Sequence, residues 1–351
     1  MRKRIQIFIL IAVLGCSFLL SACNAGTDNA NASTGLITES DSQNQTSGKY
    51  KVDIPALNGS LCSAAFWIAY EKGFFIQEGV EANMISSTNE TSKTGLNNGT
   101  MAVSYGDFQY FQSMEQNVKA SVVDAVNLGC IDIIARSDDD SINKAADLKG
   151  KKIAVNSIGG TPYQVLGLWI SKEGLSVDAS AGDVSVVAYS DGNLELQALK
   201  SGEVDAAAVW DPYGPKAQKS GEAKVLLDNA VNDDFAGRAC CFLFASDKVL
   251  KEKPDEIAAV IRALHKAELW IGQNPDEAVQ IIAEKKYAEI DDTELARQML
   301  INYGYAELGT GKHDVKGDIT YYAGWLQSIG LLKKDSGQFV SDYYQAVDLG
   351  E

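Results

Sequence analysis

Few residues in this chain carry side chains suited to chemistry, and the cysteines are the most distinctive of them. Two of the six lie near the N-terminus: Cys16 inside an apolar run over 5–20, and Cys23 directly after Leu20-Ser21-Ala22. The other four, Cys62, Cys130, Cys240 and Cys241, show none of the paired spacings of a zinc site, so the sequence assigns no metal. Cys240 and Cys241 are neighbours, and on a strand neighbouring side chains point to opposite faces. A disulfide is available to an exported chain, but the spacing chooses no pair, and buried free thiols are the expectation. The two histidines offer less. His265 flanks the apolar stripe of an expected helix and reads as partly exposed, and His313 lies in a loop, Gly311-Lys312-His313-Asp314. No serine or cysteine carries the local signature of an activated nucleophile, and no phosphate-loop lysine motif is present. These residues suit recognition rather than catalysis, and no cofactor is expected.

Recognition needs elements that aim side chains at one place. From Tyr50 onward apolar strands alternate with helical patterns, the signature of α/β units around a mostly parallel sheet. In such sheets ligands bind at the carboxyl ends of strands, against the starts of the following helices. Helix starts present unpaired backbone N–H groups and a partial positive charge, which suit a small anion. Two starts fit. The first is Ser60-Leu61-Cys62-Ser63, between a strand over 50–57 and a helix over 64–72 stopped by Gly73. The second is Gly159-Gly160-Thr161, after a strand over 151–155, with Thr161 as N-cap and Pro162 first in the helix. Pro162 has no donor, which leaves Tyr163 and Gln164 to supply theirs.

Further strands are expected over 81–85, 101–105, 184–189, 206–210 and 240–245. A weak internal echo links two of them. Leu96-Asn97-Asn98-Gly99 and Leu199-Lys200-Ser201-Gly202 each turn a helix end through glycine into a strand. The first strand carries Tyr105 and Asp107 at its far end, the second Trp210 and Asp211. Phe66, Trp67, Tyr105, Tyr163 and Trp210 would wall a pocket or else pack as core. Asp107 and Asp211 would hold an amine or else cap helices. An anion at a helix start together with an amine at the carboxylates fits a small zwitterion better than a simple anion. After Ser246 the pattern is helical: Ile257, Ile261, Leu264 and Ile271 share a face that only Glu268 interrupts, Pro275 opens the next helix, and the tail from Asp292 is amphipathic.

The N-terminus bounds where this happens. Arg2, Lys3 and Arg4 followed by the apolar run read as a secretory leader over 1–22. Its end resembles the bacterial lipobox, whose cysteine becomes a diacylglycerol-linked N-terminus, here Cys23. The 351-residue chain less this leader leaves 329 residues, enough for two core-bearing lobes. Residues 23–49 are rich in Asn, Ser, Thr and Gly and read as a flexible tether. Losing the three leader cations takes the net charge from −16 to −19, the wrong sign for a nucleic-acid partner. The expectation is an extracytoplasmic protein, anchored to the cell membrane by lipid.

Three segments then carry a family resemblance. They are Phe66-Trp67-Ile68-Ala69-Tyr70-Glu71-Lys72-Gly73-Phe74-Phe75 with Glu78-Gly79-Val80, the run Asp147-Leu148-Lys149-Gly150-Lys151-Lys152-Ile153-Ala154-Val155, and Ala198-Leu199-Lys200-Ser201-Gly202-Glu203-Val204-Asp205 leading to Trp210-Asp211-Pro212-Tyr213. In order and spacing the chain resembles substrate-binding lipoproteins of ABC importers, in the nitrate, aliphatic sulfonate, taurine and thiamine-precursor branch. The resemblance implies a periplasmic-binding-protein fold: two α/β lobes, two hinge crossings and a ligand cleft between them. It places lobe I over 50–133 and 243–351, lobe II over 134–242, and the crossings near 131–135 and 241–245. It implies a monomer that closes on a small-molecule solute and delivers it to a membrane permease. The ligand-binding residues expected are Ser60, Leu61, Cys62, Phe66, Trp67, Tyr105, Asp107, Gly159, Gly160, Thr161, Tyr163, Trp210 and Asp211. Two departures, Ala102 where an aspartate is common and Cys62 in the first turn, bear on the solute. A pyrimidine binder, a pyrimidine synthase suggested by Cys240-Cys241-Phe242, and a soft-metal or thiol-ligand carrier using Cys62 with Cys240 or Cys241 are the alternatives.

Overall fold

Apolar strands that alternate with glycine-stopped helices must stack as sheet against helix, and the computed structural model shows how. It describes residues 48–55, 60–232 and 235–350. The leader, Cys23 and all but the last two residues of the expected tether lie outside the described residues.

The strands are β1 (Tyr50–Pro55), β2 (Val80–Ile85), β3 (Val103–Asp107), β4 (Ala120–Leu128), β5 (Ile131–Arg136), β6 (Lys152–Val155), β7 (Ser185–Ala188), β8 (Ala206–Trp210), β9 (Ala223–Asp228) and β10 (Ala239–Ser246). β1 and β2 pair in parallel, a second sheet has the order β3-β10-β4, and a third the order β7-β6-β8-β5-β9. The expected mostly parallel sheet is instead mixed. β10 runs antiparallel to both β3 and β4, and β5 antiparallel to both β8 and β9. The reason is connectivity: β5 and β10 are the strands by which the chain enters one sheet on leaving the other, so each arrives pointing back.

That corrects the crossings as well. Residues 131–135 lie within β5 and 241–245 within β10, each flanked by partners on both sides. The chain leaves the second sheet through Gly129 and Cys130 and returns between the end of β9 and the start of β10. Asn229 clamps the two passages together, its Oδ1 accepting the N–H groups of Cys130 and Ile131 at 2.8 Å each. Gly129 permits the approach, since a Cβ there would stand 2.2 Å from the Ala230 nitrogen.

The internal echo is real at the backbone. The helices Asn89–Asn98 and Gly192–Ser201 end on Gly99 and Gly202, both left-handed at φ 75°, and feed β3 and β8. In the other helix start the cap is Gly160 rather than Thr161, which opens the helix Thr161–Ser171. Gly160 is extended there, so Thr161 already takes helical geometry and its hydroxyl is released for other contacts.

His265 corrects a second expectation: it is buried, with Nε2 2.6 Å from Oδ2 of Asp124 on β4. Its helix, Pro254–Gln273, packs against both Ala64–Glu71 and Tyr305–Leu308, so the flank of the apolar stripe is covered too. Ile257, Ile261, Leu264 and Ile271 are buried as the stripe requires, and so is Glu268. Burial first, then the charge of Asp124, pushes the Glu268 carboxyl well above the usual range. His313 is enclosed as well, bonded through Nε2 to Asp318 Oδ2 at 2.6 Å. Asp318 also accepts the Ala239 N–H at 2.8 Å, which fixes the start of β10.

Candidate functional site

The first helix start is a short 3-10 turn, Leu61–Ser63, in which Ser60 Oγ accepts the Cys62 N–H at 3.2 Å. Two tyrosines from beyond the helix Thr293–Asn302 close over it. Tyr305 Oη reaches the carbonyls of Leu61 and Cys62 at 3.4 and 3.5 Å. Tyr303 Oη stands 3.9 Å from Cys62 Sγ and donates to Asp211 Oδ2 at 3.0 Å. Ser63 Oγ is bonded to Tyr105 Oη, and Phe66 stacks behind that ring at 4.8 Å. Cys62, Tyr105, Tyr303 and Asp211 therefore meet between the sheet of β10 and the sheet of β5.

The second start meets a carboxyl group. Asp107, last in β3, accepts the Gln109 N–H at 2.9 Å and is hydrogen-bonded to Thr161. Thr161 Oγ1 lies 3.4 Å from Gln109 Oε1, and Gln164 Nε2 donates to Gln112 Oε1 at 3.2 Å and to Gly159 O at 3.1 Å. The anion seat expected at Gly159, Gly160 and Thr161 thus faces an acid of the chain itself.

Three carboxyls, Asp132 buried and Asp107 and Asp211 half-buried, set the electrostatics. Burial pushes Asp107 up to about 7, with the sulphur of Cys240 adding to it against the bond from Thr161. Asp211 is pushed up to about 8, first by burial and then by Cys62. Asp132, on β5, is raised well above the usual carboxyl range by burial and the charges of Asp211 and Asp228. The groups that shift these carboxyls are other carboxyls, thiols, a tyrosine, a threonine and a backbone amide; no cation is among them.

The four thiols converge behind Asp211. The Sγ atoms of Cys62, Cys130 and Cys241 lie within 4.8 Å of one another. Cys130 Sγ is also 3.8 Å from Cys240 Sγ. Strand alternation alone would send Cys240 and Cys241 to opposite faces. The β10–β4 register slips on both sides of Cys241, and that irregularity lets both sulphurs reach Cys130. All four are free and buried. Hydrogen bonds from Cys130 and Cys241 hold the Cys62 thiol well below its ordinary value, and bonds from Cys130, Cys241 and Asn229 lower Cys240 to about 5.

The crevice beside this cluster is narrow. Leu61, Asp211, Pro212, Lys216, Ala296 and Met299 line a cavity of about 30 Å³, room for about two waters. Lys216 bonds Asp291 at 3.0 Å and Lys219 bonds Asp292 across one margin. The glutamine pair closes the other.

Of the expected residues, Ser60, Leu61, Cys62, Tyr105, Asp107, Gly159, Gly160, Thr161 and Asp211 gather at this seam. Trp210 is half-buried at the end of β8, paired with Ile131 and followed by a cis Asp211-Pro212 bond. Phe66 supports Tyr105 from behind. Trp67 departs: it stacks on Tyr287 at 3.9 Å, on the far side of its helix. Tyr163 departs too, its Oη donating to Val177 O at 3.2 Å in a separate groove shared with Trp325. Asp132, Tyr303 and Tyr305 are additions that the sequence reading lacks. Asp132 is legible as a lone charge in Ile131-Asp132-Ile133-Ile134, whereas nothing in the spacing of the tail singles out its two tyrosines.

Two α/β lobes, two crossings and a crevice where strand ends and helix starts meet define the class: a two-lobed substrate-binding protein of periplasmic-binding-protein fold. Residues 62–278 match the NMT1/THI5 like family, and the chain belongs to it. It is 27% identical over 291 residues to a binding protein of Brucella abortus, covering 80% of this chain and 85% of that one. It is 26% identical over 225 residues to the formylaminopyrimidine-binding protein of Halalkalibacterium halodurans, covering 62% and 64%. In fold it is similar to the periplasmic aliphatic sulphonate binding protein SsuA from Escherichia coli, with TM-score 0.68 and 16% identity over 86% of this chain and 93% of that one. No helix among the described residues is long and apolar enough to cross a membrane.

Proposed function

We propose that this chain is the solute-binding lipoprotein of an ABC importer, a monomer tethered outside the membrane through Cys23. It binds its solute between the lobe that carries β1–β4 and β10 and the lobe that carries β5–β9, delivers it to the permease and performs no chemistry on it. The solute enters when the narrow crevice opens, and the Gln164–Gln112 and Lys216–Asp291 contacts re-form as it closes.

One observation carries the choice of solute. Asp107 and Asp211 are half-buried carboxyls at the seam, and Lys216, the lysine that lines the cavity with Asp211, is paired with Asp291 instead. An isolated buried carboxylate is costly, and a ligand that brings N–H donors or a positive charge relieves that cost. The solute therefore carries an amino group or an N–H-rich ring. A zwitterion such as taurine or an aminopyrimidine qualifies, and a simple alkanesulfonate does not. Tyr105 and Tyr303 offer hydroxyls to the remaining end. The Halalkalibacterium relative supports the aminopyrimidine arm of this reading.

Calorimetric titration of the full chain with taurine, ethanesulfonate and a formylaminopyrimidine tests it. Saturable binding of either amino compound, with ethanesulfonate at least about a hundredfold weaker, is expected from the loss of one buried charged hydrogen bond of about 3 kcal/mol. Equal binding of ethanesulfonate and taurine overturns the reading.

A further inference from the structure

The thiols are not needed for that solute, and their geometry points elsewhere. Cys62 comes from the first helix start, Cys130 from the passage between β4 and β5, and Cys241 from β10. Three distant stretches of chain thus deliver three sulphurs to one point, mutually within 4.8 Å. All three residues are more than nine-tenths buried. Metal–sulphur bonds of about 2.3 Å set three sulphurs about 4 Å apart in a trigonal plane. Closing the observed triangle to that size needs shifts of less than about 1 Å in side chains already facing one another.

We propose that Cys62, Cys130 and Cys241 bind one soft monovalent cation of the Cu(I) class as a trigonal thiolate site. Thiolate donors without imidazole select soft metals. A structural zinc ion wants four ligands in a tetrahedron, and Cys240, the remaining thiol, lies outside the mutual triangle, with its sulphur 3.8 Å from that of Cys130. On binding, each thiol yields its proton to solvent, the three sulphurs donate to the metal and no oxidation occurs. The ion then ties the first helix start to the passage at Cys130 and to β10. This proposal does not rest on the solute reading, and its test uses no solute.

The test uses the full chain, reduced, anaerobic and metal-free, titrated with Cu(I) against a bicinchoninate competitor. One ion per chain, with three sulphur neighbours by copper K-edge absorption, is expected. Cys62→Ser and Cys241→Ser weaken binding at least a hundredfold, and Cys240→Ser leaves it within about threefold. Thermal unfolding of the metal-free variants establishes that they fold. Should Cys241→Ser unfold, Cys62→Ser decides alone, since its residue sits in a short turn rather than a central strand. Absence of stoichiometric Cu(I), unchanged binding in Cys62→Ser, or a four-sulphur site lost in Cys240→Ser overturns the proposal.

Discussion

The helix starts at Leu61–Ser63 and at Thr161 share one backbone chemistry and have opposite surroundings. Both follow a strand and both read in sequence as seats for an anion, though at the first the Cys62 N–H is already taken by Ser60 Oγ. The first is roofed by Tyr303 and Tyr305 and holds Cys62 among other sulphurs. The second is stoppered by Asp107, which reaches Thr161 from the opposite lobe. A helix start supplies donors, but the group the fold sets opposite them decides the sign of what binds.

The sharpest way to break this contrast is Asp107→Asn. If the stopper makes the difference, the amide weakens an amino solute about a hundredfold and strengthens ethanesulfonate about tenfold, read by calorimetry as about 3 and 1.4 kcal/mol. Tyr303→Phe acts on the first start, taking the hydroxyl from Asp211 and Cys62. It weakens the amino solute about tenfold and destabilises the protein by about 1 kcal/mol, checked by denaturant unfolding.

Stability against pH sharpens the comparison further. Asp107 titrates near 7 when folded against about 3.9 when unfolded, so between those values only the folded chain holds its proton. Stability is full below about pH 4 and falls as pH rises towards 7; Asp107→Asn flattens that fall in thermal scans without solute. His313 is the control. Burial lowers its pKa, but the bond and charge of Asp318 outweigh burial and raise it above 6.5. Its contribution is full below pH 6.5 and is lost as pH rises through the folded value, in Asp107→Asn as in the parent. Smallest of all, Pro162→Ala returns one N–H to the second start. It costs no more than about 1 kcal/mol through the unfolded chain and shifts the Asp107 titration downwards, visible by carboxyl NMR.

The elements themselves were largely legible. Glycine stops at Gly73, Gly99 and Gly202 and the apolar runs of β3, β6 and β8 are local signals, and they delimit their helices and strands. The register of β5 and β10 was not legible, because a strand flanked on both sides looks the same in sequence whichever way it runs. The site divided in the same way. Cys62, Tyr105, Asp107, Thr161 and Asp211 sit at strand ends or helix starts, where position alone implies the crevice. Trp67 is one residue on from Phe66, about 100° around the helix, which turns it to Tyr287. Tyr303 arrives from the helical tail, some 240 residues from the thiol it touches, and only three-dimensional packing brings it there.

β10 has a consequence for how the molecule is made. The five-stranded sheet is assembled from the continuous stretch 131–228, so all its strands are present before β10 is synthesised. The sheet between β3 and β4 has no centre until residues 239–246 arrive. Emerging N-terminus first, the chain completes its later-numbered sheet while the earlier one waits, two edge strands apart and open. Until then β3 and β4 present open edges prone to mispairing, and that exposure ends when one wholly buried strand slides between them.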